Sequence, residues 1–278
     1  MTEHLRVSIV VPCRNEARSV IELLDGLRHQ DHAVHEVVVV DNASTDGTRE
    51  ALERYQAEHP DYPLKVVSCD RIGQPSALNA GIRQAVGEVI VRMDAHSRPD
   101  PDYVRLGVET LAAPSVGVAG GVWEIVPGQS PVVAQAIARA VSHPMGAGDA
   151  AYRTGRTIHE PRPVDTVPFG CFLRSTWEAL GGFNERLPTN EDYEFNYRVR
   201  QSGRAVVLNP RIRSTYSARS SIGAFAHQYF RYGWWKAQML KAHPRSLRWR
   251  QAVPAAFVVT ISSLAGIAVV AGLLGIPL

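Results

Sequence analysis

Two side chains able to bind a metal, Asp94 and His96, follow a short apolar run at positions 89–91. The run is rich in β-branched residues, which is typical of a buried strand. A strand that ends in Asp-x-His presents a carboxylate and an imidazole at the carboxyl edge of a sheet, where open α/β sheets bind ligands. The alternative is a polar turn after a core strand, in which Asp94 only caps the next segment of the chain.

Acidic residues also follow the earlier apolar runs of the chain, at Glu16, Asp41 and Asp70. Each alone is an ordinary turn residue, but their repetition predicts an edge that binds a nucleotide, because carboxylates accept hydrogen bonds from base N–H groups and ribose hydroxyls. A divalent cation can bridge the phosphates of such a ligand. Oxygen ligands suit Mg²⁺ or Mn²⁺, and the imidazole of His96 modestly favours Mn²⁺.

Strand and helix patterns alternate through the first part of the chain and must position these residues. Continuous apolar strands between amphipathic helices indicate a parallel sheet covered on both faces. The sequence thus predicts a doubly wound, nucleotide-binding half-domain, with Ser19 as the N-cap of its first helix. The predicted strands are 7–12, 36–41, 64–68 and 89–93, and the predicted helices are 19–29, 48–57 and 75–85.

The pattern changes after Pro101. Strands are predicted at 116–121, 169–174 and 205–208, and helices at 102–111, 132–141, 175–180, 190–203 and 221–242. The polar segment Gly146–Asp165 is predicted to be a mobile loop over the site. Its G-x-G-x-x-A pattern follows no strand, so we reject it as a dinucleotide fingerprint.

Composition narrows the function further. A net charge of +3 over 278 residues leaves no basic excess for nucleic acid. Three scattered cysteines argue against a disulfide framework or zinc site and favour a reducing compartment. The first residues lack the apolar core of a signal peptide.

The C-terminal run 253–278 contains no charged residue and is long enough to span a bilayer. A buried helix of a soluble domain is the alternative. Arginines at 245, 248 and 250 precede the run and predict that the domain before it lies on the cytoplasmic side of the cytoplasmic membrane.

Several motifs follow one another in order from the first strand to the last predicted helix before the apolar run. They are IVVPCRNE at 9–16, VVDNASTDGT at 39–48, ALNAG at 77–81, DAH at 94–96, Glu191-Asp192, and QYFRY at 228–232. Together they resemble the motifs of family 2 inverting glycosyltransferases of the GT-A fold, and among them exopolysaccharide glycosyltransferases of the succinoglycan ExoA type. In QYFRY, tyrosine replaces the last tryptophan of the family's Gln-x-x-Arg-Trp.

This resemblance implies a role for each motif. Nucleotide-binding residues would be Pro12, Glu16, Asp41, Arg71 and Asn79, and residues toward the acceptor or the diphosphate would be Glu191, Gln228, Arg231 and Tyr232. Asp94 and His96 would form the metal loop in place of the commoner Asp-x-Asp, with Mn²⁺ or Mg²⁺ as cofactor. The lone His227 is read as structural rather than as a further metal ligand.

Asp192 would be the catalytic base. An acceptor hydroxyl must lose its proton as it attacks the anomeric carbon, which requires a carboxylate opposite the leaving diphosphate. The start of a helix favours the ionised form of Asp192. The alternative is that Glu191 and Asp192 only complement the helix dipole.

The resemblance therefore implies a membrane-attached enzyme that moves a sugar from a nucleotide-sugar, UDP-linked, to a glycan or lipid-linked acceptor with inversion. Its predicted parts are a GT-A domain at 1–220, an interfacial helical region at 221–250 and a transmembrane segment at 251–278. A polyprenyl-phosphate glycosyltransferase and a non-catalytic nucleotide-sugar-binding module are the alternatives. A dinucleotide oxidoreductase is disfavoured, because its phosphate loop is missing from the first strand–helix turn.

Overall fold

The computed structural model describes residues 5–128, 131–144, 150–154 and 158–274. The chain forms two compact units, Met1–Met239 and Leu240–Leu278. The predicted division of the chain at residues 220 and 250 stays a prediction.

The first part of the larger unit alternates strands and helices as the sequence predicts. They are β1 (Val7–Cys13), α1 (Ser19–Leu27), β2 (Glu36–Asp41), α2 (Thr48–Glu58), β3 (Leu64–Ser68), α3 (Gln74–Gln84) and β4 (Val89–Arg92). β1 is parallel to β2 and to β4, and β2 is parallel to β3. Their carboxyl ends therefore lie at one edge of the sheet.

The second part completes a mixed sheet. Its elements are β5 (Arg98–Pro99), α4 (Tyr103–Leu111), β6 (Val116–Val126), α5 (Pro131–Ser142), β7 (Arg162–Pro163), β8 (Cys171–Leu173), α6 (Arg174–Ala179), α7 (Glu191–Gln201) and β9 (Ala205–Ser217). The strand order is β3-β2-β1-β4-β8-β6-β9-β5, with β7 paired to β9. β8 is antiparallel to both β4 and β6, so β6 and its parallel partner β9 run in the direction of β4. Their carboxyl ends consequently share the edge where β4 ends.

β6 and β9 continue well beyond their predicted ends. The sequence prediction stopped at Gly121 and Leu208, because glycines and a following proline usually end a strand. The register shifts between Gly120 and Val122, and Pro210 lies in the irregular stretch that this shift creates in β9. A side chain at Gly121 would overlap the backbone of β9. A β-bulge thus accommodates both strand breakers, and pairing resumes after it.

Successive side chains along each strand point to opposite faces of the sheet and contribute to two apolar cores, one on each face. In β1, Ile9 and Val11 face a core that includes residues of α1, α2 and α4. Val10 faces the other core, together with residues of α3, α6 and α7. Helix α3 lies so close to the sheet that a Cβ at Gly81 would come within 2.6 Å of a Val10 methyl and 2.7 Å of a Val40 methyl. The glycine of the ALNAG motif therefore permits close helix–sheet packing.

Helix α8 (Ile222–Ala242) begins within the larger unit. In the smaller unit a single 3₁₀ turn, Pro244–Ser246, precedes helix α9 (Trp249–Leu273). The segment Gln251–Ala271 has 21 residues and a mean hydropathy of 2.2. By length and composition this helix is able to cross a membrane.

Two local expectations have specific outcomes. Ser19 is not an N-cap, because it lies inside α1 with Arg18 at the cap position. Its hydroxyl instead donates to the carboxylate of Glu16. The predicted loop Gly146–Asp165 lies partly outside the described residues, which include only 150–154 and 158–165 of it.

Candidate active site

Backbone and side-chain hydrogen bonds join the loops that follow β1 and β2. Asn15, at a left-handed φ of 56°, accepts a hydrogen bond at Oδ1 from the Thr45 amide (2.8 Å), and its own amide donates to Ser44 Oγ (3.0 Å). Asp46 Oδ2 accepts from the Ala17 amide at 3.2 Å. These bonds fix the VVDNASTDGT segment against the end of β1, which gives its polar residues a structural role.

Three of the predicted nucleotide-binding residues come together at this edge. Asp41 is buried at the end of β2, and Pro12 occupies the end of neighbouring β1. The Asn42 amide donates to the carbonyls of Cys69 (2.8 Å) and Arg71 (2.9 Å), which holds the turn after β3 beside β2. Contact of Pro12, Asp41 and Arg71 with a nucleotide stays a prediction.

Glu16 and His96 form a pair across the edge. His96 Nδ1 lies 3.0 Å from Glu16 Oε1, and the His96 side chain is 50% exposed. Hydrogen bonding to Glu16 raises the pKa of His96, although burial opposes the charge. Burial likewise opposes ionisation of Glu16, but the hydrogen bonds from His96 and Ser19 lower the pKa of this carboxyl.

The centre of the site is Arg92, the last residue of β4, whose side chain is only 3% exposed. Its Nη2 lies 2.9 Å from Asp94 Oδ1 and 3.1 Å from Glu191 Oε1, and its Nη1 lies 2.5 Å from Asp192 Oδ2. Gln74 also donates to Asp94 Oδ1, at 2.7 Å. One guanidinium thus joins the metal-loop acid to the acids at the start of α7.

Asp192 has one engaged and one unengaged oxygen. Oδ2 contacts Arg92, whereas Oδ1 is buried and has no hydrogen-bond partner among the described residues. Burial raises the pKa of Asp192; Arg92 opposes this effect and the charge of Asp94 adds to it. Burial and the charge of Asp192 also raise the pKa of Glu191. A half-buried carboxylate with a raised pKa and an unengaged oxygen has the properties of a general base.

Asn79 has a full set of protein partners. Its amide nitrogen donates to the Phe183 carbonyl and to Glu185 Oε1, both at 2.9 Å. Its oxygen accepts from the Phe183 amide (2.8 Å) and from Trp177 Nε1 (3.2 Å). Glu185 in turn pairs with Arg71 at 2.6 Å. Asn79 therefore fastens α3 to α6 and to the segment that follows α6, and its predicted contact with the nucleotide stays untested.

The predicted acceptor residues on α8 divide into two groups. Gln228 is buried and donates to the hydroxyl of Tyr232 at 2.9 Å. The backbone carbonyl of Tyr232 accepts from the Asn190 side chain at 3.4 Å, directly before Glu191. Arg231 and His227 are exposed. The structure therefore connects Gln228 and Tyr232 to Asn190, the residue that precedes Glu191, and leaves Arg231 exposed.

Sequence reasoning missed Arg92, Gln74 and Glu185. The signal for Arg92 was its charge within an otherwise apolar strand, since a buried charge requires partners. Gln74 and Glu185 carried no such signal, because both lie in polar turns of the sequence.

A divalent cation fits the donor set of the metal loop. The described residues include no group of three or more His, Cys, Asp and Glu side chains placed to hold a metal. Asp94 Oδ2 and His96 Nε2 have no hydrogen bond to any described residue, and Glu16 fixes the other imidazole nitrogen as carboxylates do beside metal-binding histidines. Mg²⁺ and Mn²⁺ sites commonly take one or two protein ligands and complete their shell with phosphates and water.

Two curated proteins are similar over most of their length. One is the dolichyl N-acetyl-alpha-D-glucosaminyl phosphate 3-beta-D-2,3-diacetamido-2,3-dideoxy-beta-D-glucuronosyltransferase of Methanococcus voltae, 27% identical over 252 residues, which are 87% of this chain and 76% of that protein. The other is the succinoglycan biosynthesis protein ExoA of Rhizobium meliloti (strain 1021), 29% identical over 257 residues, or 89% of this chain and 74% of that protein.

A solved structure is similar in fold. The mannosyltransferase PcManGT of Pyrobaculum calidifontis, in complex with GDP-Man and Mn²⁺, aligns with a TM-score of 0.60 and 29% identity. The alignment covers 76% of this chain and only 56% of that one, so the chain spans little more than half of this solved structure. The predicted GT-A fold is confirmed.

The family model described as glycosyl transferase family 2 matches residues 8–173. The matched region runs from β1 to β8 and includes Asp41, Arg92 and Asp94, whereas Glu191 and Asp192 lie beyond it. Because the match covers more than half of the sequence, the chain belongs to glycosyl transferase family 2.

Proposed function

We propose that this protein transfers a sugar from a nucleotide-sugar, UDP-linked, to a hydroxyl group of a glycan or lipid-linked acceptor, with inversion at the anomeric carbon. The observation that carries the proposal is the position of Arg92, which contacts Asp94 at the end of β4 and Asp192 at the start of α7. A single displacement requires a group on each side of the anomeric carbon, one near the leaving diphosphate and one near the attacking hydroxyl. The two acids that Arg92 joins meet this requirement.

Asp192 acts as the base. The acceptor oxygen bonds to the anomeric carbon, the bond from that carbon to the diphosphate breaks, and the hydroxyl proton passes to the carboxylate of Asp192. Arg92 contacts Oδ2 of this carboxylate and so orients the base. The raised pKa of Asp192 strengthens the carboxylate as a proton acceptor.

Asp94 and His96 would hold a divalent cation together with the donor phosphates. Bound there, the cation supplies Lewis-acid neutralisation of the charge that grows on the leaving diphosphate. Asp94 Oδ1 is fixed by Gln74 and Arg92, and His96 is fixed by Glu16, so both side chains are oriented before a ligand arrives.

The nucleoside occupies the edge formed by β1, β2 and β3. Asp41 accepts a hydrogen bond from the base, and Pro12 and Glu16 border the same space. Arg71 lies nearest the phosphates of this group, and its pairing with Glu185 limits the conformations of its exposed side chain.

A lipid-linked or glycan acceptor is supported by the two curated relatives. The name of the Methanococcus protein specifies a dolichyl N-acetylglucosaminyl phosphate, and the Rhizobium protein is named for succinoglycan biosynthesis. The apolar helix Gln251–Ala271 supports attachment to the cytoplasmic membrane. The arginines before this helix favour a cytoplasmic position of the catalytic domain.

The test is turnover by the full chain in detergent. Labelled UDP- and GDP-sugars are supplied with Mn²⁺, Mg²⁺ or a chelator, and release of nucleoside diphosphate and transfer to membrane-extracted glycolipids are measured. We expect release and transfer with one donor class, loss of both with the chelator, and inversion at the transferred anomeric carbon by NMR. Absence of turnover with every donor contradicts the proposal and favours a binding module.

Asp192→Asn tests the base. The variant should lower kcat by roughly 10²–10⁴-fold, which is the usual contribution of general-base catalysis, while nucleotide binding is retained. Asp61→Asn, at an exposed loop position outside the site, is the matched control and should behave as the wild type. Near-normal transfer by Asp192→Asn would refute the base assignment and favour a phosphate acceptor, which needs little help from a base.

A further inference from the structure

A second charged side chain at this part of the fold, that of the half-buried Arg153, lies away from the acids already described and within a cluster of aromatic side chains. The guanidinium carbon of Arg153 lies 5.5 Å from the Trp123 ring centroid and 5.6 Å from the Tyr152 ring centroid. Arg153 Nη1 donates to the Tyr229 hydroxyl at 3.2 Å. No carboxylate within the described ranges pairs with Arg153, although arginine stays charged in proteins.

Two N–H groups of this cluster have no acceptor. Both Arg153 Nε and Trp123 Nε1 are buried and make no hydrogen bond to any residue that the structure describes. Burial of a donor without an acceptor is unfavourable, and more so for a charged donor. The nearby Tyr232 does not neutralise the charge, since burial raises the pKa of its hydroxyl to about 12. The cluster therefore offers a positive charge and unused donors to an oxyanion.

The cluster lies at the same sheet edge as the proposed reaction site. Trp123 follows the bulge in β6, and Tyr216 is close to the end of β9, where the two rings stack at 4.3 Å with an angle of 6°. β6 and β9 run in the direction of β4, so all three strands end at this edge. Only β8 separates β4 from β6, which places them about 10 Å apart.

Direct contacts connect the cluster to the acids. The Phe169 ring lies 5.6 Å from the Trp123 ring and 5.8 Å from the guanidinium carbon of Arg92. On the other side, Gln228 donates to the hydroxyls of both Tyr216 (3.2 Å) and Tyr232 (2.9 Å). The rings of Trp123 and Phe169 and the guanidinium of Arg92 thus form a continuous chain of contacts from Arg153 to Asp192.

We infer that Arg153, with the indole N–H of Trp123, binds an oxyanion of the acceptor: the phosphate of a lipid-linked sugar or the carboxylate of an acidic sugar. The inference rests on the proposed function, because it assigns a substrate class to the acceptor side of that site. The donor diphosphate is the less suitable occupant, since the predicted donor-side residues lie on α3 and at or just after the ends of β1 to β4. Trp123, Tyr216 and Tyr229, which surround Arg153, lie instead on β6, β9 and α8. An arginine fork matches phosphate and carboxylate oxygens in a bidentate manner.

The experiment measures binding of small acceptor analogues to the full chain in detergent with UDP and Mn²⁺ present. The probes are N-acetylglucosamine 1-phosphate, methyl glucuronide and the neutral methyl N-acetylglucosaminide, followed by ligand-observed NMR. The wild type should bind at least one of the two anions about tenfold more tightly than the neutral sugar. Preference for the phosphate or for the carboxylate identifies the source of the oxyanion.

Arg153→Gln should remove this preference and leave affinity for the neutral sugar and for UDP unchanged. Arg139→Gln, at an exposed position of α5, is the matched control and should keep the preference. Trp123→Phe keeps an aromatic ring and removes only the N–H, so it should weaken anion binding by a smaller factor even if Arg153→Gln fails to fold.

Two results would overturn the inference. One is equal binding of anionic and neutral probes by the wild type, and the other is a loss of UDP affinity in Arg153→Gln as large as the loss of anion affinity. Nucleotide-sugar turnover is followed in the same preparations. A chain that turns over its donor but shows no anion preference refutes this inference alone, whereas a chain without turnover refutes the proposed function.

Discussion

Substitution of Arg92 by glutamine is the sharpest test of the site. It removes a buried cation that contacts three carboxylates at the edge of the sheet. Arg92 is 3% exposed and lies within 3.1 Å of oxygens of Asp94, Glu191 and Asp192. Glutamine keeps the polarity but not the charge. Three acidic groups would then be close together in a buried place with no positive partner among the described residues.

The magnitude follows from the burial of the partners. Removing one member of a buried ion pair costs about 3–5 kcal/mol, because the other charge is left uncompensated. Asp94 and Asp192 are 21% and 29% exposed, so water screens part of the repulsion and the lower value of about 3 kcal/mol applies. For a unit of this size that corresponds to a fall in Tm of about 6–12 °C.

The assay is thermal unfolding of the full chain in detergent, followed by near-UV circular dichroism, which reports tertiary packing rather than the helix content of α9. Arg105→Gln is a matched control, since Arg105 also lies near three carboxylates, those of Asp31 (2.8 Å), Asp102 (3.7 Å) and Glu109 (2.9 Å). Its side chain is 35% exposed, so its ion pairs are screened and its loss should leave the Tm nearly unchanged. Equal Tm shifts in the two variants would show that burial is not what makes Arg92 important.

Two further substitutions test how α3 is held in the fold. Gly81→Ala should lower the free energy of unfolding by about 1–3 kcal/mol through overpacking, because its Cβ would come 2.6 Å from a valine methyl of β1. Gly223→Ala is the control in the same unfolding assay, because no atom lies within 4 Å of the added methyl group. Equal stability of the two variants would contradict the close approach at Gly81. Glu185→Gln should lower the Tm at pH 7 and lower it less at pH 3.5. Partial burial opposes the charge of Glu185, but the hydrogen bond from Asn79 and the charge of Arg71 lower the pKa of this carboxyl. Its contribution to stability is therefore present above the ordinary glutamate pKa of about 4.3 and is lost as the pH falls through the lowered pKa. A Tm difference that is independent of pH would assign the effect to packing.

The fold was predictable where one physical pattern dominates. The strands β1 to β4 are continuous β-branched runs between amphipathic helices, and that pattern specifies a parallel sheet almost by itself. Prediction failed in β6 and β9, where Gly121 and Pro210 suggested strand ends. The bulge that accommodates these two residues depends on how both strands pair, so the sequence of either strand alone does not predict it.

The acidic residues of the site were predictable from the sequence, but the contacts that join them to other side chains were not. Asp94 and Asp192 were found through strand ends and resemblance, although the second lies beyond the region that the family model matches. Arg92 makes its bond to Asp192 across 100 positions of the sequence, so only the folded chain reveals the pair. Asn79 illustrates the opposite case, since a residue expected beside the nucleotide uses both ends of its amide to hold the fold together.

Arg92 explains why an arginine, rather than an aliphatic residue, ends the otherwise apolar strand β4. The proposed chemistry needs an acid near the leaving group and an acid near the acceptor, and these carboxylates would repel each other at the distances the sheet edge imposes. A guanidinium can contact both because its nitrogens are spread in a planar fork, which a lysine ammonium lacks. The same contact orients Asp192 through Oδ2 and leaves Oδ1 without a partner among the described residues. Arg92→Lys should therefore preserve more of the stability than of the rate, because charge suffices for the first effect and the second also requires the geometry of the fork.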